Sequence, residues 1–209
     1  MLSQNPIIGI DFDNTIACYD QLFAEAAADI AGLERSPGQT KKEIRDHVRN
    51  LPQGEEKWQQ MQAEVYGPRM LQAQIYPDLH RFLENCYRQD LTIYIVSHKS
   101  EFATLSTDGV NLRTQAVKWM VANRVLSSEG PGVRQDRIFF EDTRDDKIAR
   151  ISELGCTHFI DDLVEVLDHP NFPQNVERVH FAPEEVMPTG LSYPSFGSWT
   201  GITLAFFGS

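Results

Sequence analysis

Ile7-Ile8-Gly9-Ile10-Asp11-Phe12-Asp13-Asn14 is the stretch whose reading decides the fold. A short apolar run after Pro6 stops at two aspartates one residue apart. So short a run between loop signals fits a strand buried on both faces of a parallel sheet. In an extended strand Asp11 and Asp13 point the same way.

Four further runs outward from this one read alike. Residues 92–96 (TIYIV) are β-branched and nearly all apolar; 137–140 (RIFF) follow a Gly-Pro-Gly loop; 157–160 (THFI) precede Asp161-Asp162; and 179–181 (VHF) precede Pro183. Helical spacing fills the intervals. Leu79, Phe82, Leu83, Cys86 and Tyr87 recur every three to four residues, as do Ala116, Val117, Met120, Val121 and Val125. Ile148, Ile151 and Leu154 lead to Gly155, a C-cap signal. Strand alternating with helix predicts right-handed crossovers, hence an α/β fold with a parallel five-stranded sheet and helices on both faces.

One stretch breaks the alternation. Residues 24–31, 41–51 and 55–66 read as helices with no strand among them, separated by Ser36-Pro37-Gly38 and Leu51-Pro52-Gln53-Gly54. One crossover normally takes a single helix. The expected organisation is therefore an α/β core of residues 1–19 and 75–209 with a small helical insert at 20–74.

Composition narrows the function classes. The chain has 209 residues, 41% hydrophobic and 23% charged, which is ordinary globular composition. A net charge of -11 disfavours nucleic acid and anionic lipid as partners. Cys18, Cys86 and Cys156 form no metal-binding spacing and read as reduced thiols. The first residues lack a basic, then apolar, leader pattern, and no apolar run reaches the roughly 20 residues that span a bilayer, so a cytoplasmic location is expected.

In an open parallel sheet, ligands bind at the carboxyl ends of the strands. Asp11, Asp13, Ser97, Asp161 and Asp162 all stand at such ends, and Lys147 opens the helix before the fourth run. Four carboxylates at close range cannot all stay ionised without compensation. A hard divalent cation, Mg²⁺ beside phosphate, relieves them. Lysine and hydroxyl complete a site for a phosphoryl group. One aspartate can attack phosphorus while the other exchanges protons with the leaving alcohol and water.

Asp145-Asp146 reads as the acidic start of a helix. Ser100 and Thr104 rival Ser97, but only Ser97 directly ends a strand. His98 and Lys99 follow it, placed either to touch substrate or to lie in a solvated loop; His98 is grouped with the phosphate-binding candidates. Glu165 could support a metal shell or start a turn. Lys41, Lys42, Arg45, Arg49 and Lys57 read as a solvated helix face, Trp58, Trp119 and Trp199 as packing residues. The aromatic tail from Ser192 fits either the core or a subunit contact.

The segment from Ile8 to Ile16 resembles the first motif of the haloacid dehalogenase (HAD) superfamily, an apolar strand followed by DxDx(T/V). Ile93 to Ser97 resembles the second, Lys147 the third and Phe159-Ile160-Asp161-Asp162 the fourth, in the family's order. The resemblance runs from about Ile7 to Phe181 and leaves the insert and the tail aside. It implies a Rossmann-like core, with Asp11 as nucleophile and Asp13 as acid/base and metal ligand through its backbone carbonyl. Asp11, Asp161 and Asp162 would supply the other Mg²⁺ ligands, and Ser97 and Lys147 would hold phosphate. The insert looks like a C1-type helical cap, which selects substrates. The implied activity is a phosphomonoesterase acting on a small soluble phosphorylated molecule.

Other readings compete. A phosphomutase shares the core residues, and a phosphonatase would need a cap lysine such as Lys41, Lys42 or Lys57. A dehalogenase has no use for Asp13. In a receiver-like signalling domain the acidic pair comes first, whereas here the adjacent pair comes last. Nothing at the core positions favours a non-catalytic binder.

Overall fold

The computed structural model describes residues 6–36, 38–105, 109–183 and 190–208. The readings of residues 1–5 and of Pro37 fall outside them. The chain forms two compact units: Met1–Ala17, Ile75–Lys99 and Asn123–Ser209 make the first, Cys18–Gln74 and Ser100–Ala122 the second.

The strands are β1 (Ile7–Ile10), β2 (Ala17–Cys18), β3 (Gln74–Ile75), β4 (Thr92–His98), β5 (Ile138–Glu141), β6 (His158–Asp161), β7 (Glu177–Phe181) and β8 (Ser195–Phe196). Six of them form one sheet in the order β5-β4-β1-β6-β7-β8, and every pairing in it is parallel. The first unit thus has the expected α/β fold with helices around the sheet. The expected count of five strands is corrected to six. The added strand, β8, has two residues in a polar, aromatic tail, too short to carry any periodicity.

β1 is central because it is apolar on both faces: Ile8, Gly9 and Ile10 are buried. Gly9 permits a close approach. A Cβ there would lie 2.4 Å from Phe159 Cδ2 and 3.1 Å from Cys156 Sγ. In register, Ile10, the last residue of β1, stands beside Ile95 of β4 and Ile160 of β6; β6 runs one residue further and β4 three.

Two helices of the second unit, α1 (Asp20–Ala26) and α2 (Lys41–Arg49), illustrate local sequence control. Thr40 and Glu43 form a reciprocal capping box at the start of α2. Ile44 and Val48, one turn apart, bury its apolar face. α3 (Gly54–Tyr66) follows, and Phe23 of α1 stacks on Trp58 of α3 with ring centroids 4.8 Å apart. Of the basic residues read as a solvated face, Lys42 and Arg49 are exposed, whereas Lys41, Arg45 and Lys57 are half-buried, with Lys41 Nζ 5.5 Å from the centroids of the Phe23 and Tyr66 rings.

In the first unit α4 (Leu79–Arg88) precedes β4. The next helix, α5 (Leu112–Ala122), belongs to the second unit, which corrects the expected core of 75–209. Trp119 is fully buried, and its indole N–H donates to Ala73 O at 2.8 Å. Periodicity registers the apolar face of such a helix but not which body receives it.

The remaining helices, α6 (Arg144–Glu153), α7 (Val164–Leu167) and α8 (Trp199–Phe207), lie in the first unit. Thr143 caps α6, accepting from Asp146 N, with Asp145 and Asp146 in its first turn. The tail packs on the first unit's own core. Trp199 is fully buried beside Phe82 and Phe181, and its indole N–H donates to Thr15 O at 3.0 Å. Among the described residues, no helix is long and apolar enough to cross a membrane.

Candidate active site

The site is built where β1, β4 and β6 end. Parallel pairing continues one step past β1, since Asp11 N donates to Ile160 O at 2.9 Å. That step sets Asp11 beside Asp161. Asp13 follows, and Asn14 then takes a left-handed backbone (φ 59°), which Asn tolerates better than most residues. The turn closes through Asn14 N to Ala17 O at 2.9 Å and Ile16 N to Phe12 O at 3.0 Å.

Lys147 joins the two strand ends. Its Nζ donates to Asp11 Oδ1 and to Asp161 Oδ2, both at 2.6 Å. All three side chains are almost fully buried. The other oxygen of Asp161 accepts from Leu163 N at 2.9 Å, so its carboxylate is held at both ends. Burial pushes the Asp11 carboxyl up to about 7, opposed by Lys147 and helped by Asp161 and Asp13. Burial alone would lower the Lys147 ammonium, but the two facing carboxylates hold it above its ordinary value.

Oxygens of Asp11, Asp161 and Asp162 lie within 4.8 Å of one another. Asp162 is half-buried, and Thr15 Oγ1 stands 3.4 Å from its Oδ1. Its backbone carbonyl accepts from His180 Nε2 at 3.2 Å. That ring nitrogen must therefore carry a proton, and His180 Nδ1 forms a second hydrogen bond with Ser195 Oγ at 2.8 Å. The short strand β8 thus helps to fix the loop after Asp161.

The carboxylate of Asp13 faces a different cation. Lys99 Nζ donates to its Oδ1 at 3.0 Å and its Oδ2 at 2.9 Å. The Lys99 side chain is 3% exposed and that of Asp13 18%. The ladder continues past β4, with Lys99 N donating to Glu141 O at 3.0 Å. Strand alternation puts Ser97 and Lys99 on one face and His98 on the other. Ser97 and Lys99 are accordingly buried and His98 exposed.

The structure therefore brings Asp11, Asp161, Asp162 and Lys147 together, with Asp13 two residues on from Asp11 and Ser97 buried at the end of β4. It does not bring His98 to them. Its ring is exposed, with Nε2 3.0 Å from Asp142 O. Ser100, Thr104 and Glu165 are exposed. The residue that the sequence reading left undecided is Lys99, and the period-two spacing Ser97-His98-Lys99 was the available signal.

No protein-family model matches the chain, and no curated protein does. Solved structures do. A haloacid dehalogenase-like hydrolase from Streptococcus pneumoniae is 15% identical with a TM-score of 0.63, over 97% of this chain and 98% of that one. A HAD-family hydrolase from Deinococcus radiodurans, solved with bound phosphate and sodium, is 12% identical with a TM-score of 0.60, over 97% and 94%. A dehalogenase is 13% identical with a TM-score of 0.56, over 100% of both chains. The chain has the fold of the haloacid dehalogenase-like hydrolases.

Proposed function

We propose that the protein is a Mg²⁺-dependent phosphomonoesterase that hydrolyses a small phosphate ester through a phosphoryl intermediate on Asp11. The observation that carries this reading is Lys147 Nζ lying 2.6 Å from both Asp11 and Asp161. It ties a buried nucleophile candidate to a buried metal-ligand candidate through one fixed cation. The Deinococcus radiodurans structure, which holds phosphate on this fold, supports the same direction.

The donor set fits a hard divalent cation. It is all oxygen, and three carboxylates converge within 4.8 Å. Asp11, Asp161 and Asp162 would hold Mg²⁺ through carboxylate oxygens and Asp13 through its carbonyl. When bound, the ion neutralises charge on the phosphoryl oxygens.

The protein's own residues do the rest. Lys147 occupies Oδ1 of Asp11, leaving Oδ2 to attack phosphorus. As the new O–P bond forms, the bond to the leaving alcohol oxygen breaks, and Asp13 gives that oxygen a proton. Asp13 then takes a proton from water, which attacks the phosphoryl group and releases phosphate and Asp11. Ser97 and Lys147 hold the phosphoryl oxygens throughout.

A panel of phosphorylated metabolites assayed with Mg²⁺ tests the reading. Phosphate release that EDTA stops reversibly and Asp11→Asn abolishes is expected. An active, EDTA-insensitive Asp11→Asn variant contradicts it.

A further inference from the structure

The geometry points to Lys99 as a positioning residue that aims the Asp13 carboxylate at the leaving-group oxygen. This rests on the acid/base role of Asp13 proposed above. Lys99 contacts both oxygens of Asp13, at 3.0 and 2.9 Å, and a two-oxygen contact fixes the plane of a carboxylate, not merely its distance. The ammonium is itself fixed. Its side chain is 3% exposed, and its Nζ lies 5.6 Å from the centroid of the Phe12 ring. Its backbone is locked by the bond to Glu141 O.

Each aspartate of the DxD pair thus has its own buried lysine. Lys147 holds Asp11 and Lys99 holds Asp13, at 2.6 and 2.9 Å. A carboxylate has roughly four lone-pair directions. Lys99 engages one direction on each oxygen and so fixes how the carboxylate is turned. Without Lys99 the carboxylate would rotate about its Cβ–Cγ bond, and productive orientations would be a fraction of those sampled.

The test uses two aryl esters. Phenyl phosphate has a poor leaving group that needs a proton from Asp13, whereas p-nitrophenyl phosphate needs it far less. Lys99→Met should lower kcat on phenyl phosphate by at least about tenfold and lower it clearly less on p-nitrophenyl phosphate. KM should stay within about twofold on both, and Lys99→Arg should recover much of the loss. Adding Lys99→Met to Asp13→Asn should cost nothing more, because Lys99 acts only through Asp13. The double variant, with no unpaired charge, carries the test even where Lys99→Met alone folds poorly.

Equal losses on both esters, a raised KM, or a further loss in the Asp13→Asn background each overturn the inference. The Asp13→Asn single variant separates the two levels. If it shows the leaving-group pattern and Lys99→Met does not, the acid/base reading stands and the role of Lys99 falls. If Asp13→Asn shows no such pattern, both fall.

Discussion

Lys147 and Asp161 stand 14 residues apart in sequence, yet their charged groups meet at 2.6 Å in the buried centre of the site. α6 carries the lysine in its first turn and β6 delivers the aspartate at its last residue. Their meeting is a consequence of one crossover, and Asp11 joins them from the neighbouring strand at the same 2.6 Å.

Lys147→Met should be severely destabilising as well as inactivating. It leaves Asp11 and Asp161 facing each other in a buried site with no cation, and removing one partner of a buried ion pair costs about 3–5 kcal/mol. Urea denaturation of the metal-free variant measures this. A loss below about 1 kcal/mol would show that the pair is not held as described.

Mg²⁺ affinity should rise with pH. Burial pushes Asp11 up to about 7, so below that value the carboxyl carries a proton that the ion must displace. Calorimetry should find binding about tenfold tighter near pH 8 than near pH 6, with most of that dependence absent in Asp11→Asn. An affinity that does not change across this range would contradict the assignment.

Gly9→Ala should destabilise the sheet at its centre. The new methyl would collide with the ring of Phe159 and press on Cys156 Sγ, and both side chains are fully buried. A cost of about 1–3 kcal/mol is expected from such overpacking. An unchanged melting temperature would mean that β1 and β6 pack more loosely than this.

The cysteines should separate into two classes. Burial pushes the thiols of Cys86 and Cys156 up to about 12. A thiol reagent at neutral pH should label Cys18 in the native protein and reach the other two only after unfolding. Rapid native labelling of Cys86 or Cys156 would contradict their burial.

Much of the fold and of the candidate site was legible because it is written in strands. Buried parallel strands are apolar throughout, so 7–10, 92–96 and 157–160 stood out, and the residues ending them became site candidates at once. β8 was not legible because two residues carry no pattern. His98 lies off the site, which the sequence does not register because the apolar run of 92–96 marks the strand only as far as Ser97. β4 runs one residue further and the ladder continues to Lys99, so alternation turns His98 outward and Lys99 inward. The α5 helix reads as an ordinary crossover because its spacing says nothing of its partner. That Trp119 finds Ala73 is a tertiary fact.

The most direct measurement of the central claim is the mass of the enzyme quenched in acid during turnover of a phosphate ester with Mg²⁺. The account predicts one added phosphoryl group, mapped to the peptide containing Asp11 and absent from Asp11→Asn. Turnover with no such adduct at any quench time, or an adduct on another residue, would contradict it.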